Sequence, residues 1–313
     1  MATHLLSVVL PTHNRPDRLE TAARSVLDQE GGPVELVIVD DASGDHTPEV
    51  CGRLADDPRV RVVRNAESLG PAGSRNRGMA VATGDLVGFC DDDDAWLPGA
   101  ASVVCDRMDR DPGVGVVTSW HQVVHDRTGR TAVFRGPQEY RAEHLLWFDL
   151  VAIPFGDIRR SHFPDDLAVD TDLPTGEDWD LWLRCARIRP MVTVPRTLYA
   201  YHQHGGARVT RVGTGPATGR QRFLDKHGPS MSPSCRAYHR LVVAGVVGGR
   251  GAVVRQLGSE RTAPGAAAVA ASVLAAGSVA TSVARRRRDP GLPARLMRTL
   301  VDRLPAPPAR DDR

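Results

Sequence analysis

Four consecutive aspartates, Asp91 to Asp94, end the apolar run Leu86-Val87-Gly88-Phe89-Cys90. Like charges about 6 Å apart repel by roughly 3 kcal/mol at an effective dielectric of ~20. Such a run destabilises a fold unless a cation or water relieves it. Extended backbone would send Asp91 and Asp93 to one side and Asp92 and Asp94 to the other. One pair could then face a divalent ion while its neighbours hold sugar hydroxyls or backbone amides. Mg²⁺ and Mn²⁺ sit this way beside a nucleotide, taking one or two carboxylates plus phosphate oxygens. The competing reading is a solvated acidic turn, which is what most acid runs are.

Four other groups could do chemistry. Asp40-Asp41-Ala42-Ser43 is either an Asx turn or a carboxylate that accepts a proton from a nucleobase imide or a ribose hydroxyl. In Gly70-Pro71-Ala72-Gly73-Ser74-Arg75-Asn76 the glycines allow close backbone approach, and a helix start carrying an Arg suits a diphosphate. That stretch is neither a GxGxxG fingerprint nor a Walker loop, which argues against a hydride-transferring oxidoreductase and a P-loop kinase. Gly176-Glu177-Asp178-Trp179 puts two acids in a helix first turn, where the macrodipole favours them. One of them could equally be a base whose affinity for protons is lifted by burial against Trp179 and Trp182. His202 and His204 are either a surface pair or a phosphate or metal contact. No Ser-His-Asp order and no GxSxG elbow occur.

These residues need a frame. Ser7–Leu10 reads as a strand stopped by Pro11-Thr12-His13-Asn14. A helix follows, with Asn14 or Arg15 near its cap, Pro16 in its first turn, and Leu19, Ala22, Ala23, Val26 and Leu27 on one face. Leu36–Val39 is a second strand running into Asp40. Thr47 is expected to cap a helix that turns Val50, Leu54 and Ala55 inward. Val60–Val63 is a third strand, Gly70–Gly73 a turn before a helix through Asn76 to Ala82, and Leu86–Cys90 a fourth strand. Strands that are apolar throughout, alternating with helices, imply a parallel sheet covered on both faces. Both acid clusters then lie at the carboxyl ends of strands, the ligand-binding edge of open α/β sheets.

Beyond it, Pro98–Arg110 reads as a helix and Val114–Thr118 as a strand. Short pieces at Gln122–His125 and Arg130–Phe134 and an apolar run Leu145–Ile153 suggest a mixed sheet with an antiparallel element. Glu177 opens a helix, Val192–Val194 and Leu198–Tyr201 are short strands, and the chain turns helical from about Arg220. The expected organisation is a doubly wound α/β domain over 1–222, a helical region over 223–304 and a disordered tail over 305–313.

The 313 residues carry 40 Lys plus Arg against 38 Asp plus Glu, so no global field points to nucleic acid. Five cysteines without metal-ligand spacing read as buried hydrophobes in a reducing compartment. No signal peptide is visible, and a cytoplasmic location is expected. Residues 263–284 lack charge and precede Arg285–Arg288, but their Ala, Gly, Ser and Thr content suits a packed or peripheral helix rather than a span. Peripheral contact with the inner face of a membrane, or homo-oligomerisation, could run through these C-terminal helices.

Five segments, VVLPTHNRPDRLETAARSVLDQ, ELVIVDDAS, GPAGSRNRG, GDLVGFCDDDDAWLP and GEDWDLWLR, together resemble an inverting family 2 glycosyltransferase of the GT-A fold. The resemblance covers residues 6 to about 210. It implies transfer of a sugar from a nucleotide-diphosphate sugar, UDP-linked in the first instance, to a glycan, lipid-linked or small-molecule acceptor, with Mn²⁺ or Mg²⁺ as cofactor. Pro11, Thr12 and His13 would line the base pocket, with Asp41 holding the base and Asp40 beside it. Arg75 would lie near the diphosphate. Asp91-Asp92-Asp93 matches the DXD motif, with Asp93 and Asp91 as metal ligands and Asp92 near the ribose or sugar. Asp178 matches the base, with Glu177 as the alternative, and His204 a further metal or phosphate contact. The fourth aspartate leaves the gripping pair open, and His13 stands where an aromatic is more usual. A sugar-phosphate nucleotidyltransferase or a non-catalytic nucleotide-sugar-binding protein remains an alternative.

Overall fold

The computed structural model describes residues 4–32, 34–204, 215–244 and 247. The first half alternates as its pattern requires: β1 (Leu6–Thr12), α1 (Pro16–Leu27), β2 (Val34–Asp40), α2 (Thr47–Leu54), β3 (Val60–Arg64), α3 (Gly70–Val81) and β4 (Leu86–Phe89). There follow β5 (Ala95–Trp96), α4 (Ala100–Arg110), β6 (Val116–His125), β7 (Arg130–Phe134), β8 (Glu139–Tyr140), α5 (Ala142–Leu145), β9 (Gly156–Arg159), α6 (Glu177–Ile188), β10 (Met191–Gln203) and α7 (Gly215–His227). The strands form one sheet in the order β3-β2-β1-β4-β9-β6-β10-β5, with β7 on β6 and β8 on β10. Pairs β1–β2, β1–β4, β2–β3 and β6–β10 are parallel. β9, wedged between β4 and β6, runs antiparallel to both, and β5, β7 and β8 also pair antiparallel.

Burial explains the pattern. The apolar residues of β1, β2 and β4 are almost wholly inaccessible, as strands covered on both faces must be. The five α1 residues named from periodicity are the five it buries. In α2, however, Ala55 is exposed and Cys51 takes the inward place beside Val50 and Leu54. Thr47 does not cap that helix; it lies inside it, and its hydroxyl accepts the Arg15 N–H at 3.0 Å. Gly70 to Gly73 is already the first turn of α3 rather than a turn before it.

Further along, Gln122–His125 continues β6, and the two short strands of the 190s are one strand. That strand, β10, shifts register between Val194 and Tyr199, where Pro195 has no N–H to give the ladder. Leu145–Ile153 is not extended: it holds the end of α5 and a turn. All five cysteines are buried and free.

The chain divides into two compact units, one of Met1–Tyr140 with Asp149–Ala207, the other of Arg141–Phe148 with the chain from Arg208. Within the second, Phe148 and Tyr238 pack edge to face at 5.7 Å. There His239 is fully buried, its Nε2–H donating to the Leu146 carbonyl at 2.7 Å while Nδ1 accepts from Arg220 at 3.1 Å. Among the described residues no helix is long and apolar enough to cross a membrane. Residues 263–284, Arg285–Arg288 and the tail after 304 lie outside the described residues.

Candidate active site

The acid run is a turn, not an extended segment: the Asp94 N–H donates to the Asp91 carbonyl at 3.0 Å. This overturns the expected two-and-two alternation. One carboxylate oxygen from each of Asp91, Asp93 and Asp94 falls within 4.8 Å of the others. Asp92 instead turns towards β1, accepting the Thr12 hydroxyl at 2.9 Å. The turn is pinned on its far side because β5 pairs with β10 and the Trp96 indole N–H donates to the Phe89 carbonyl at 3.1 Å.

The Arg15 cation and further hydrogen-bond donors relieve the repulsion. Arg15, at the start of α1, donates through one nitrogen to Asp92 at 2.9 Å and Asp93 at 2.8 Å. His204, just after β10, has Nε2 2.6 Å from the same Asp93 oxygen, and the His202 N–H donates to Asp94 at 2.9 Å. Burial pushes the Asp92 carboxyl up to about 6 although Arg15 and Thr12 pull it back. For Asp93 burial also acts upwards, but His204 and Arg15 outweigh it and hold the carboxyl below its usual range. Three hard carboxylate oxygens this close are a donor set that Mg²⁺ or Mn²⁺ accepts, so Asp91, Asp93 and Asp94 fit such an ion.

Arg75 joins this turn to the start of α6. Its buried guanidinium donates to Asp91 at 2.5 Å and lies 3.5 Å from Glu177, while its Nε has no protein partner. Beside Glu177, the Asp178 carboxyl accepts the Trp179 N–H at 2.8 Å. Burial, then the neighbouring Asp149 and Glu177 charges, push Asp178 well above the ordinary carboxylate range. The expected apolar walls, Trp179 and Trp182, are both buried, and Trp182 packs edge-on against Phe89 inside the core.

At the other end, Asp40 and Asp41 hold the backbone in place. Asp40 binds the Ser43 N–H at 3.0 Å and the Arg64 guanidinium. The Asp41 carboxylate takes four donors: Asn65 at 2.8 Å, Ser68 at 2.7 Å, and the N–H groups of Leu69 at 2.8 Å and Gly70 at 2.9 Å. Pro11 is half-buried and His13 exposed. The His13 ring is fixed between the Asp41 carbonyl (2.6 Å) and the Asn14 side chain (2.8 Å). Asn14 and Ala42 both have positive φ, 53° and 58°, so this loop pair stores backbone strain beside the site.

The predicted residues therefore come together along one sheet edge. Sequence reasoning missed Arg15 and gave Asp94 no role of its own. A usable signal existed for Arg15, because a cation at a helix N-terminus opposes the macrodipole and needs another reason to be there.

Comparison with known proteins agrees. Residues 7–160 match the model of Glycosyl transferase family 2. A GalNAc(5)-diNAcBac-PP-undecaprenol beta-1,3-glucosyltransferase of Campylobacter jejuni is 39% identical over 104 residues, 33% of this chain and 34% of that enzyme. This chain thus spans about a third of that relative. Among solved structures, S. aureus TarS 1-349 in complex with UDP-GlcNAc superposes with TM-score 0.64 at 16% identity, covering 95% of this chain and 90% of that one. The mannosyltransferase PcManGT of Pyrobaculum calidifontis, in complex with GDP-Man and Mn²⁺, gives TM-score 0.59 at 20% identity, covering 96% and 84%. At those identities the likeness speaks for the fold, a mixed and mostly parallel sheet flanked by helices. The family match over residues 7–160 makes this chain a glycosyltransferase that belongs to glycosyl transferase family 2.

Proposed function

We propose that the enzyme moves a sugar from a nucleotide-diphosphate sugar to an acceptor hydroxyl in one displacement that inverts the anomeric carbon. The observation that carries this reading is Arg75, one buried guanidinium touching both Asp91 of the acid turn and Glu177 at the start of α6. Through it, carboxylates of two kinds of use share one site. Asp178 takes the proton of the acceptor hydroxyl as the acceptor oxygen bonds to the anomeric carbon, and the old carbon–oxygen bond breaks with its electron pair leaving on the diphosphate. Glu177 is the alternative base. Arg75 binds the diphosphate, while Asp92 orients the ribose or sugar.

Asp91, Asp93 and Asp94 would hold Mn²⁺ or Mg²⁺, and His204 flanks them through Asp93. The chemistry such an ion supplies when bound is neutralisation of charge on the departing diphosphate. Pro11, Thr12 and His13 line the base end. For Asp41 to take an imide proton, the Ser68 hydroxyl is the partner that can rotate away. The UDP-GlcNAc, GDP-Man and undecaprenol-linked compounds named for the similar proteins support a nucleotide-sugar donor, UDP-linked in the first instance, and a glycan or lipid-linked acceptor.

The test is a screen of UDP-, GDP- and dTDP-sugars with Mn²⁺. A nucleoside diphosphate should be released with at least one of them. Pyrophosphate made from a sugar phosphate and a nucleoside triphosphate would overturn the reading in favour of a nucleotidyltransferase.

A further inference from the structure

Arg15 is a cation that the chemistry above does not use, yet it sits on the proposed metal site. Its guanidinium reaches Asp92 at 2.9 Å and Asp93 at 2.8 Å, and the Asp93 oxygen it binds is also 2.6 Å from His204 Nε2. That oxygen's two lone pairs are therefore already directed at protein donors. The Arg15 backbone holds the start of α1 in place. The Arg15 N–H donates to the Thr47 hydroxyl, and the Arg15 carbonyl accepts from Arg18 and Leu19 in the first turn of α1. The side chain reaches the acid turn from a helix start, where its charge is unfavourable.

A dication bound through Asp93, by either oxygen, would lie close to this guanidinium. Like charges in a partly buried site oppose each other strongly, so Arg15 discourages a bare ion. An incoming diphosphate reverses that relation, because its negative oxygens attract both cations. Resting on the metal site proposed above, we infer that Arg15 couples the two ligands. It keeps affinity for the ion low until the nucleotide diphosphate arrives, and by reciprocity the bound ion tightens the diphosphate by the same factor. The device suits a site that should load metal and donor together.

Mn²⁺ binding to the full chain, followed by electron paramagnetic resonance of the free ion, tests this without reference to turnover. Affinity is measured alone and with UDP or GDP, for the wild type, Arg15→Met, Arg15→Lys and Arg18→Met. Arg18 lies on the same helix but pairs with Asp126 at 3.1 Å, so its variant reports any general effect of lost charge.

Arg15→Met should bind Mn²⁺ alone about tenfold or more tightly, given one unit charge removed from beside the ion. The tightening of Mn²⁺ by the diphosphate should shrink by a similar factor. Arg15→Lys and Arg18→Met should stay within about twofold of the wild type. Equal Mn²⁺ affinity and equal coupling in wild type and Arg15→Met would overturn the inference and leave the metal site standing. No Mn²⁺ binding by any folded variant, with or without nucleotide, would overturn the metal site and the inference with it.

Discussion

At the scale of single residues, two acids raised by desolvation carry opposite expectations. Asp178 must be ionised to take a proton, and burial with nearby Asp149 and Glu177 raises its carboxyl above the ordinary range. The acid limb of its rate profile should therefore lie at higher pH than a free carboxylate gives. Asp178→Asn should leave donor affinity unchanged and slow turnover by about 10²–10⁴-fold, the usual worth of a general base. Unchanged turnover would move the base to Glu177. Asp157 on β9 is structural: its carboxyl is buried, pushed up to about 7, and accepts the Tyr199 hydroxyl at 2.6 Å. The folded protein holds this proton more tightly than the unfolded chain. Its stabilising effect is complete below pH about 4 and is lost as pH rises through about 7. Asp157→Asn should accordingly raise stability at pH 8 by on the order of 2–4 kcal/mol and change it little at pH 4. A melting-temperature gain independent of pH would contradict that assignment.

At the scale of elements, what the sequence made legible follows from how each element is buried. β1, β2 and β4 have uninterrupted apolar residues because both faces are covered, and α1 has a clean stripe because one face is. β9 was invisible for the opposite reason. Its four buried residues are Gly-Asp-Ile-Arg, and the charges are satisfied only by distant partners: Asp157 by Tyr199, Arg159 by the Met108 and Val114 carbonyls. No local pattern announces such a strand. The acid run was legible as a cluster, with a turn weighed only as its solvated alternative. The expected alternation assumes an extended backbone, whereas contacts from Arg15 and His204, distant in sequence, hold the carboxylates together on a turn. β9 also sets α6, because a Cβ at Gly156 would come within 2.7 Å of the Trp182 ring. Gly156→Ala should cost about 1–3 kcal/mol through overpacking, and a stability loss near zero would refute this contact. Turnover should fall with it, as Trp182 and Asp178 lie on the same helix.

At the scale of the molecule, the sheet brings to one edge what the chain keeps far apart. Arg15 ends a strand-to-helix loop, Asp91 to Asp94 lie near residue 90, and Glu177, Asp178 and His204 arrive more than eighty residues later. Each group is ambiguous alone, and the parallel order β3-β2-β1-β4 is what gives them a common edge. The second unit offers no comparable convergence among its described residues; its buried His239 and aromatic pairs make a core. The central claim, that the acid turn holds a metal beside a donor diphosphate, has one direct test. Crystals of the full chain soaked with Mn²⁺ and UDP or GDP should give an anomalous peak within coordination distance of Asp91, Asp93 or Asp94, with phosphate oxygens on the same ion. Manganese and nucleotide bound elsewhere, with those three carboxylates untouched, would contradict the account.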